Sequence, residues 1–330
     1  MLSLYLTLFV AIIVIYYSCE LFVNAIEWVG KKFDIAQCAV GTILAAFGTA
    51  LPESVVTLMA VAFNSSAQQK DIGIGAALGG PLVLGTISYA VVGCCIILFR
   101  RKRDLGTEID IDSNKLSRDQ LWFVSIFIFK LLMGLFIFSI KPITGFLFLA
   151  AYGFYFYKEM ASECIISEEI MAPLKFQPNK KEPSVIWVLS QTFISLLLIF
   201  LSSHIFVKNL ELLSGFWHMS PLIVSLLISP IATELPEILN AVIWVRQGKE
   251  TLALGNISGA MMIQATIPTA FGIFFTPWLF DVHLIWAGLM TLISIFYLLL
   301  TLKQDKLSPQ RLIYAGAFYL LFACIFLFVK

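Results

Sequence analysis

The chain has 330 residues, of which 59% are hydrophobic and only 13% charged, with a formal net charge of +1; an ordinary soluble domain carries roughly 25% charged residues. About twenty consecutive apolar residues cross a bilayer, and such runs follow one another almost end to end here, which excludes a soluble enzyme and defines an integral membrane protein. The charge balance points to no partner class beyond the lipid bilayer, and no nucleic acid is expected.

Ten apolar segments are expected as helices, at about 3 to 29, 35 to 63, 71 to 98, 120 to 139, 142 to 158, 185 to 213, 217 to 245, 252 to 274, 282 to 302 and 309 to 328. The first is apolar from Leu2 with no basic stretch before it, so it is kept as a span and not as a cleaved signal. Ser117 to Gln120 has the form of a capping box, and Ser308-Pro309 that of an N-cap followed by a first-turn proline. Both are expected to start helices.

Two polar loops separate the segments, Arg100 to Asp119 and Ala161 to Pro183. Asp110-Ile111-Asp112-Ser113-Asn114 opens like a calcium-binding EF-hand loop, but Lys115 holds the glycine position and Leu121 that of the bidentate Glu, so a solvated linker is expected. The six cysteines show no metal-ligand spacing and read as small buried hydrophobes. Gly73-Ile74-Gly75 lacks a preceding strand and a correctly placed third glycine, so it is no dinucleotide fingerprint.

With ten spans, one face collects Lys31, Lys32, Arg100 to Arg103, Lys115, Arg118, Lys158, Lys175, Lys180, Lys181, Arg246, Lys249, Lys303, Lys306 and Arg311. The other receives Lys70, Lys141, Lys208 and Lys330. This asymmetry puts the first face in the cytoplasm of an inner or plasma membrane and both termini outside.

Gly48-Thr49-Ala50-Leu51-Pro52-Glu53 and Ala232-Thr233-Glu234-Leu235-Pro236-Glu237 are two copies of one stretch, related by a shift of 184 positions. The same shift aligns Phe22-Val23 with Phe206-Val207 and Glu27 with Glu211, while Gly75 to Gly79 matches Gly255 to Gly259 at a shift of 180. Five spans per copy is an odd number, so the second copy enters the membrane from the opposite side. The expected fold is all-α, with ten transmembrane helices in two inverted repeats of five. Residues 1–158 form the first repeat with its cytoplasmic loop 100–119, residues 159–184 a cytoplasmic linker, and residues 185–330 the second repeat. Such repeats belong mainly to secondary transporters, whose site lies near the midplane on helices interrupted by Gly or Pro.

Carboxylates at the centre of spans cost about 2.5 to 3.5 kcal/mol each, hence roughly 8 to 10 kcal/mol for Glu53, Glu234 and Glu237 together. Lys130 is the only basic residue deep in a segment, and one lysine does not neutralise three carboxylates. Bound metal ions or protons are the natural counter-charges. Proline leaves a carbonyl one turn earlier without its helical partner, so carbonyls and hydroxyls at Thr49 and Thr233 are expected to face an ion beside Glu53 and Glu237. Glu234 lies on the same helical face as Glu237. The glycine pairs fit helix packing as well as an ion site. His204 aligns with Glu20 and reads as a packed or interfacial histidine, and Lys208 and Glu211 as an ion pair or snorkelling groups near a helix end.

These residues resemble the calcium/cation antiporters, which include the sodium/calcium exchangers. The resemblance spans the chain and is most specific in the two Leu-Pro-Glu and two Gly-rich segments. It implies ten helices in two inverted halves and exchange of calcium for sodium or protons by alternating access. It places Thr49, Glu53, Thr233 and Glu237 as ion ligands, with Glu234 adding a cation or proton site and Gln264 a neutral oxygen. The cations are cargo; no cofactor and no enzymatic activity are implied.

Measured against the family pattern Gly-Thr-Ser-Leu-Pro-Glu, Ala50 and Glu234 replace the two serines. Against the family's second pattern, Gly-Asn-x-x-Gly-Ser-Asn-x-x-Asn or Asp, Ala76, Gly80, Pro81 and Leu84 replace the polar residues of the first copy, while the second keeps Asn256 but has Ala260, Met261 and Gln264. Two alternatives remain at this level. One is a proton-coupled exchanger of another metal, favoured by the lost neutral oxygens and the added carboxylate. The other is a transport-inactive membrane sensor or scaffold, favoured by the degenerate first Gly-rich motif.

Overall fold

The structure is a computed structural model that describes residues 2–35, 39–63, 67–103, 105–136, 140–161, 171–216, 226–227, 229–304 and 307–328. Some side chains within helices, those of Leu51, Pro52 and Glu53 included, lie outside that description. Among the described residues the chain is helical and contains no strand.

The helices are α1 (Leu2–Lys32), α2 (Ala46–Ala62), α3 (Ala67–Val83), α4 (Tyr89–Phe99), α5 (Ser113–Leu135) and α6 (Lys141–Met160), then α7 (Val185–Phe216), α8 (Ser229–Thr233), α9 (Leu235–Arg246), α10 (Glu250–Phe275), α11 (Val282–Lys303) and α12 (Pro309–Phe328). A π-helical turn, Val40–Ala45, leads into α2, and another, Leu84–Ser88, joins α3 to α4. Among the described residues, six stretches are long and apolar enough to cross a membrane: Ser3–Lys32, Gly73–Phe99, Val185–Phe206, Glu250–Phe275, Val282–Lys303 and Pro309–Phe326. The other expected spans are shorter or more polar; α5, for example, opens with Lys115, Arg118 and Asp119 and holds Lys130 midway. The outer surface is apolar: Phe9, Tyr17, Leu98, Tyr157, Ile186, Phe193 and Leu320 are all exposed. In water that would be a large sticky patch. In a bilayer it is the solvent-matched face.

The core is built on α10, which is buried without a break from Leu252 to Thr266. Small residues on it allow close crossings, as is usual for helices in lipid. At Gly259 an added Cβ would overlap the Thr42 carbonyl and lie 2.8 Å from Ala46 Cβ. At Gly79, on α3, it would overlap the Pro230 ring and lie 3.7 Å from the Leu226 carbonyl. The sequence shift of 184 carries Thr42 to Leu226 and Ala46 to Pro230, and the shift of 180 carries Gly79 to Gly259. The two contacts are therefore reciprocal: each copy's glycine is crossed by the other copy's helix start.

Ion pairs gather at one end of the bundle. Arg103 meets Glu250 at 2.6 Å, both side chains buried, and Lys115 and Arg118 meet Glu159 at 2.6 and 3.1 Å. Lys249 bonds Glu27 at 2.5 Å, and Lys31 and Lys32 hold Glu182 at 3.0 and 2.8 Å. At the opposite ends of α5 and α10, Lys141 donates to the carbonyls of Phe136, Pro277 and Trp278, and Lys70 to that of Phe275. The segment 171–184 is no loose tether. Asn24 and Trp28 of α1 donate to the Ala172 carbonyl, Lys175 donates its amide to Asn24, and Phe176 to Gln191 of α7. Gln191 returns to Leu21 and Asn24, closing the strap.

Several expectations are corrected. The helix start placed at Ser117 lies at Ser113, because the Asp112 carboxylate caps it by accepting from the amides of Asn114 and Lys115 at 3.0 Å each. Asp112, the second acid of the EF-hand-like stretch, is thus a helix cap. Ser308 does cap α12, accepting from the Arg311 amide at 3.4 Å. Cys19 and Cys95 are buried as expected, but Cys94 and Cys324 are exposed, on an outer surface where a small apolar side chain suits lipid. The interruption expected at Pro52 is absent, since α2 runs from Ala46 to Ala62 through it; the irregular turn of the first copy stands upstream, at Val40–Ala45.

Candidate functional site

The second Leu-Pro-Glu stretch does interrupt its helix. Glu234 stands between α8 and α9 with φ −82° and ψ 1°, its amide donating to Pro230 and its carbonyl accepting from Ile238. Pro236 fits the first turn of α9, where its missing N–H costs nothing. Glu234 and Glu237 are both fully buried, at the amino end of α9, where the unpaired amides of the first turn favour negative charge.

Three elements meet at Glu234. Gln264, midway along α10 and buried, donates its side-chain amide to Glu234 Oε1. From the other side α3 presents Gly80, where an added Cβ would overlap Gln264 Oε1 and lie 2.9 Å from Glu234 Oε1. The glycine that stands for a serine in one copy thus makes room for the glutamate that stands for a serine in the other. Two of the expected site residues, Glu234 and Gln264, are brought into contact.

The other expected residues are placed as follows. Thr49 is buried on α2 and donates its hydroxyl to the Ala45 carbonyl at 3.1 Å, leaving its lone pairs as acceptors. Thr233 is half-buried and donates to the Pro230 carbonyl at 3.3 Å. Asn256 of α10 donates to the Glu237 carbonyl at 3.4 Å. The Glu53 side chain lies outside the described residues, and among the described ones no group of three or more His, Cys, Asp or Glu side chains gathers. His204 is exposed on α7, with exposed Lys208 one turn on, so neither belongs to the site; the Glu211 side chain lies outside the described residues.

Two further residues stand at the site, one that sequence reasoning missed and one whose partners it did not show. Asn240, one turn after Glu237 on α9, is fully buried, and neither its oxygen nor its nitrogen has a hydrogen-bond partner among the described residues. A lone polar residue three positions after a buried carboxylate was the available signal. Lys130 is the other: its ammonium is fully buried and donates to the carbonyls of Ala77, at 2.6 Å, and Gln264, at 3.2 Å. The arrangement offers two carboxylates, one amide paired to Glu234 and an orphaned Asn, all buried. That is a hard-oxygen environment, suited to a bare cation.

The sodium/calcium exchanger protein family matches this chain over residues 3–158 and 187–330, and the chain belongs to that family. Its class is that of integral membrane ion antiporters. Among its relatives, the inner membrane protein YrbG of Escherichia coli (strain K12) is 26% identical over 322 residues, covering 92% of this chain and 89% of that one. The putative antiporter CaxA of Alkalimonas amylolytica is 25% identical over 310 residues, covering 90% and 89%. The fold is similar to that of the sodium-calcium exchanger NCX_Mj, with a TM-score of 0.75 and 22% identity across 97% of this chain and 98% of the other.

Proposed function

We propose that the chain is a secondary antiporter that exchanges a divalent cation, calcium first, for sodium or protons by alternating access. Glu53 and Glu237 bind the ion with Thr49 and Thr233, and Glu234 with Gln264 adds the further cation or proton site. The observation that carries this is the contact of Glu234 with Gln264 against Gly80, which joins both copies at one buried acidic point.

The reciprocal crossings at Gly79 and Gly259 support two repeats of five spans related by a two-fold axis. The gathering of Lys31, Lys32, Arg103, Lys115, Arg118 and Lys249 at one end supports a cytoplasmic face there and extracytoplasmic termini, in an inner or plasma membrane. In proteoliposomes, calcium uptake is expected to follow an imposed sodium or proton gradient and to collapse in Glu237→Gln. Uptake that persists with Glu53 and Glu237 both changed to Gln overturns the assignment.

A second reading, proton-coupled exchange of another divalent metal, is favoured by the carboxylate at position 234 where the family has a hydroxyl. A metal panel at several pH values, with and without sodium, separates the two.

A further inference from the structure

We propose that the Lys130 ammonium is a permanent cation of the transport site, seated on backbone carbonyls that would otherwise be open to a transported ion, so that the site loads one monovalent cation fewer. The proposal rests on the antiporter reading above. Its observation is the position of the ammonium. Lys130 Nζ lies 2.6 Å from the Ala77 carbonyl on α3 and 3.2 Å from the Gln264 carbonyl on α10. Each of those residues stands four positions before a proline inside its helix, Pro81 and Pro268. Proline has no amide to give the carbonyl one turn back, and away from water such a carbonyl must find another donor. In transporters with broken helices, carbonyls of this kind coordinate ions. Here one ammonium takes both.

The surroundings favour a cation at that point. The ring centroids of Phe127 and Trp278 lie 5.3 and 5.9 Å from Nζ, within cation–π range. Gln264 links the two charges directly, its backbone oxygen accepting from Lys130 while its side chain donates to Glu234. The charge count then closes: Glu53, Glu234 and Glu237 against Lys130 leave two negative charges, which one divalent ion balances with no sodium bound beside it. A purely structural staple between α3 and α10 would make the same contacts but would leave the ion response unchanged.

The test is thermal unfolding of the purified full chain in detergent at fixed pH and ionic strength, with calcium titrated in N-methylglucamine or in sodium. The wild type is expected to be stabilised by calcium, with a midpoint that rises with sodium no more steeply than two monovalent ions displacing one calcium require. Lys130→Gln is expected to gain one further monovalent ion, so that the same sodium moves its calcium midpoint about tenfold further than the wild type's, while Lys130→Arg keeps the wild-type pattern. A folded Lys130→Gln with the wild-type sodium response overturns the proposal and leaves the antiporter reading standing. So does a wild type whose calcium midpoint rises with sodium more steeply than two monovalent ions displacing one calcium allow, a result that decides the matter even if Lys130→Gln does not fold. A wild type that no divalent cation stabilises, and that shows no gradient-driven uptake, overturns the antiporter reading and the proposal together.

Discussion

Gln264 donates its side-chain amide to the carboxylate of Glu234 directly over Gly80, and the glycine is what lets the two meet. The Cβ of an alanine at position 80 would strike the far end of the Gln264 side chain, which is free to swing where backbone is not. Gly80→Ala is therefore expected to fold, with an overpacking cost at the low end of about 1–3 kcal/mol, but to weaken calcium-dependent thermal stabilisation about tenfold in midpoint. An unchanged midpoint would show that the amide contributes nothing to ion binding.

Gly259 gives the contrasting case. There the atom met is the Thr42 carbonyl, part of the π-helical turn, and it has nowhere to go. Gly259→Ala should lower the unfolding temperature by the equivalent of about 3 kcal/mol. Gly153→Ala, where nothing lies within 4 Å of the new methyl, should not lower it. Equal melting temperatures for the two variants would contradict the close crossing of α10 and the turn before α2.

Arg103 closes the loop after α4. Its guanidinium pairs with buried Glu250 and also donates to the carbonyls of Gly106 and Glu108, at 2.5 and 2.9 Å. Arg103→Ala leaves the Glu250 charge without that partner in a buried place, a loss on the order of 3–5 kcal/mol. Hydrogen exchange should then accelerate over residues 105–112 while α5 stays protected. Unaltered exchange there would mean the pair does not hold the loop.

Asp119, in the turn of α5 that precedes the expected span, supplies a pH dependence. Burial pushes its carboxyl up to about 7, Glu159 and Asp112 push the same way, and Lys115 and Arg118 oppose them. In the unfolded chain an Asp loses its proton near about 3.9, so between these two values the folded form holds a proton that the unfolded form has released. Stability from this group therefore falls as pH rises from about 4 to about 7 and is flat above. Asp119→Asn should remove that slope and be more stable than the wild type at pH 8, as read from unfolding temperatures across the range. A variant with the wild-type slope would assign the dependence to another group.

Much of the architecture was legible because a bilayer demands length and apolarity, and both are written in composition. Glu234 and Gln264 were each legible through their places in the repeated motifs, but their contact was not. The substitution at position 80 was read as a lost oxygen, whereas in three dimensions it is a gained space, which only the facing side chain reveals. The π-helical turns leave no mark in sequence, since one added residue per turn needs no special amino acid. Lys130 was visible as a buried charge, but its carbonyl partners are 53 and 134 positions away and are defined by prolines on two other helices. Asn240 hid among apolar neighbours because the repeat offers Val56 at the equivalent place.

The strap at 171–184 has a mechanical consequence. It binds Asn24 of α1 and Gln191 of α7 into one knot, and α1 and α7 pack against each other. Two helices from opposite halves of the chain are thereby yoked, and neither can slide without the other. In the alternating access proposed above, these two helices would move as one body.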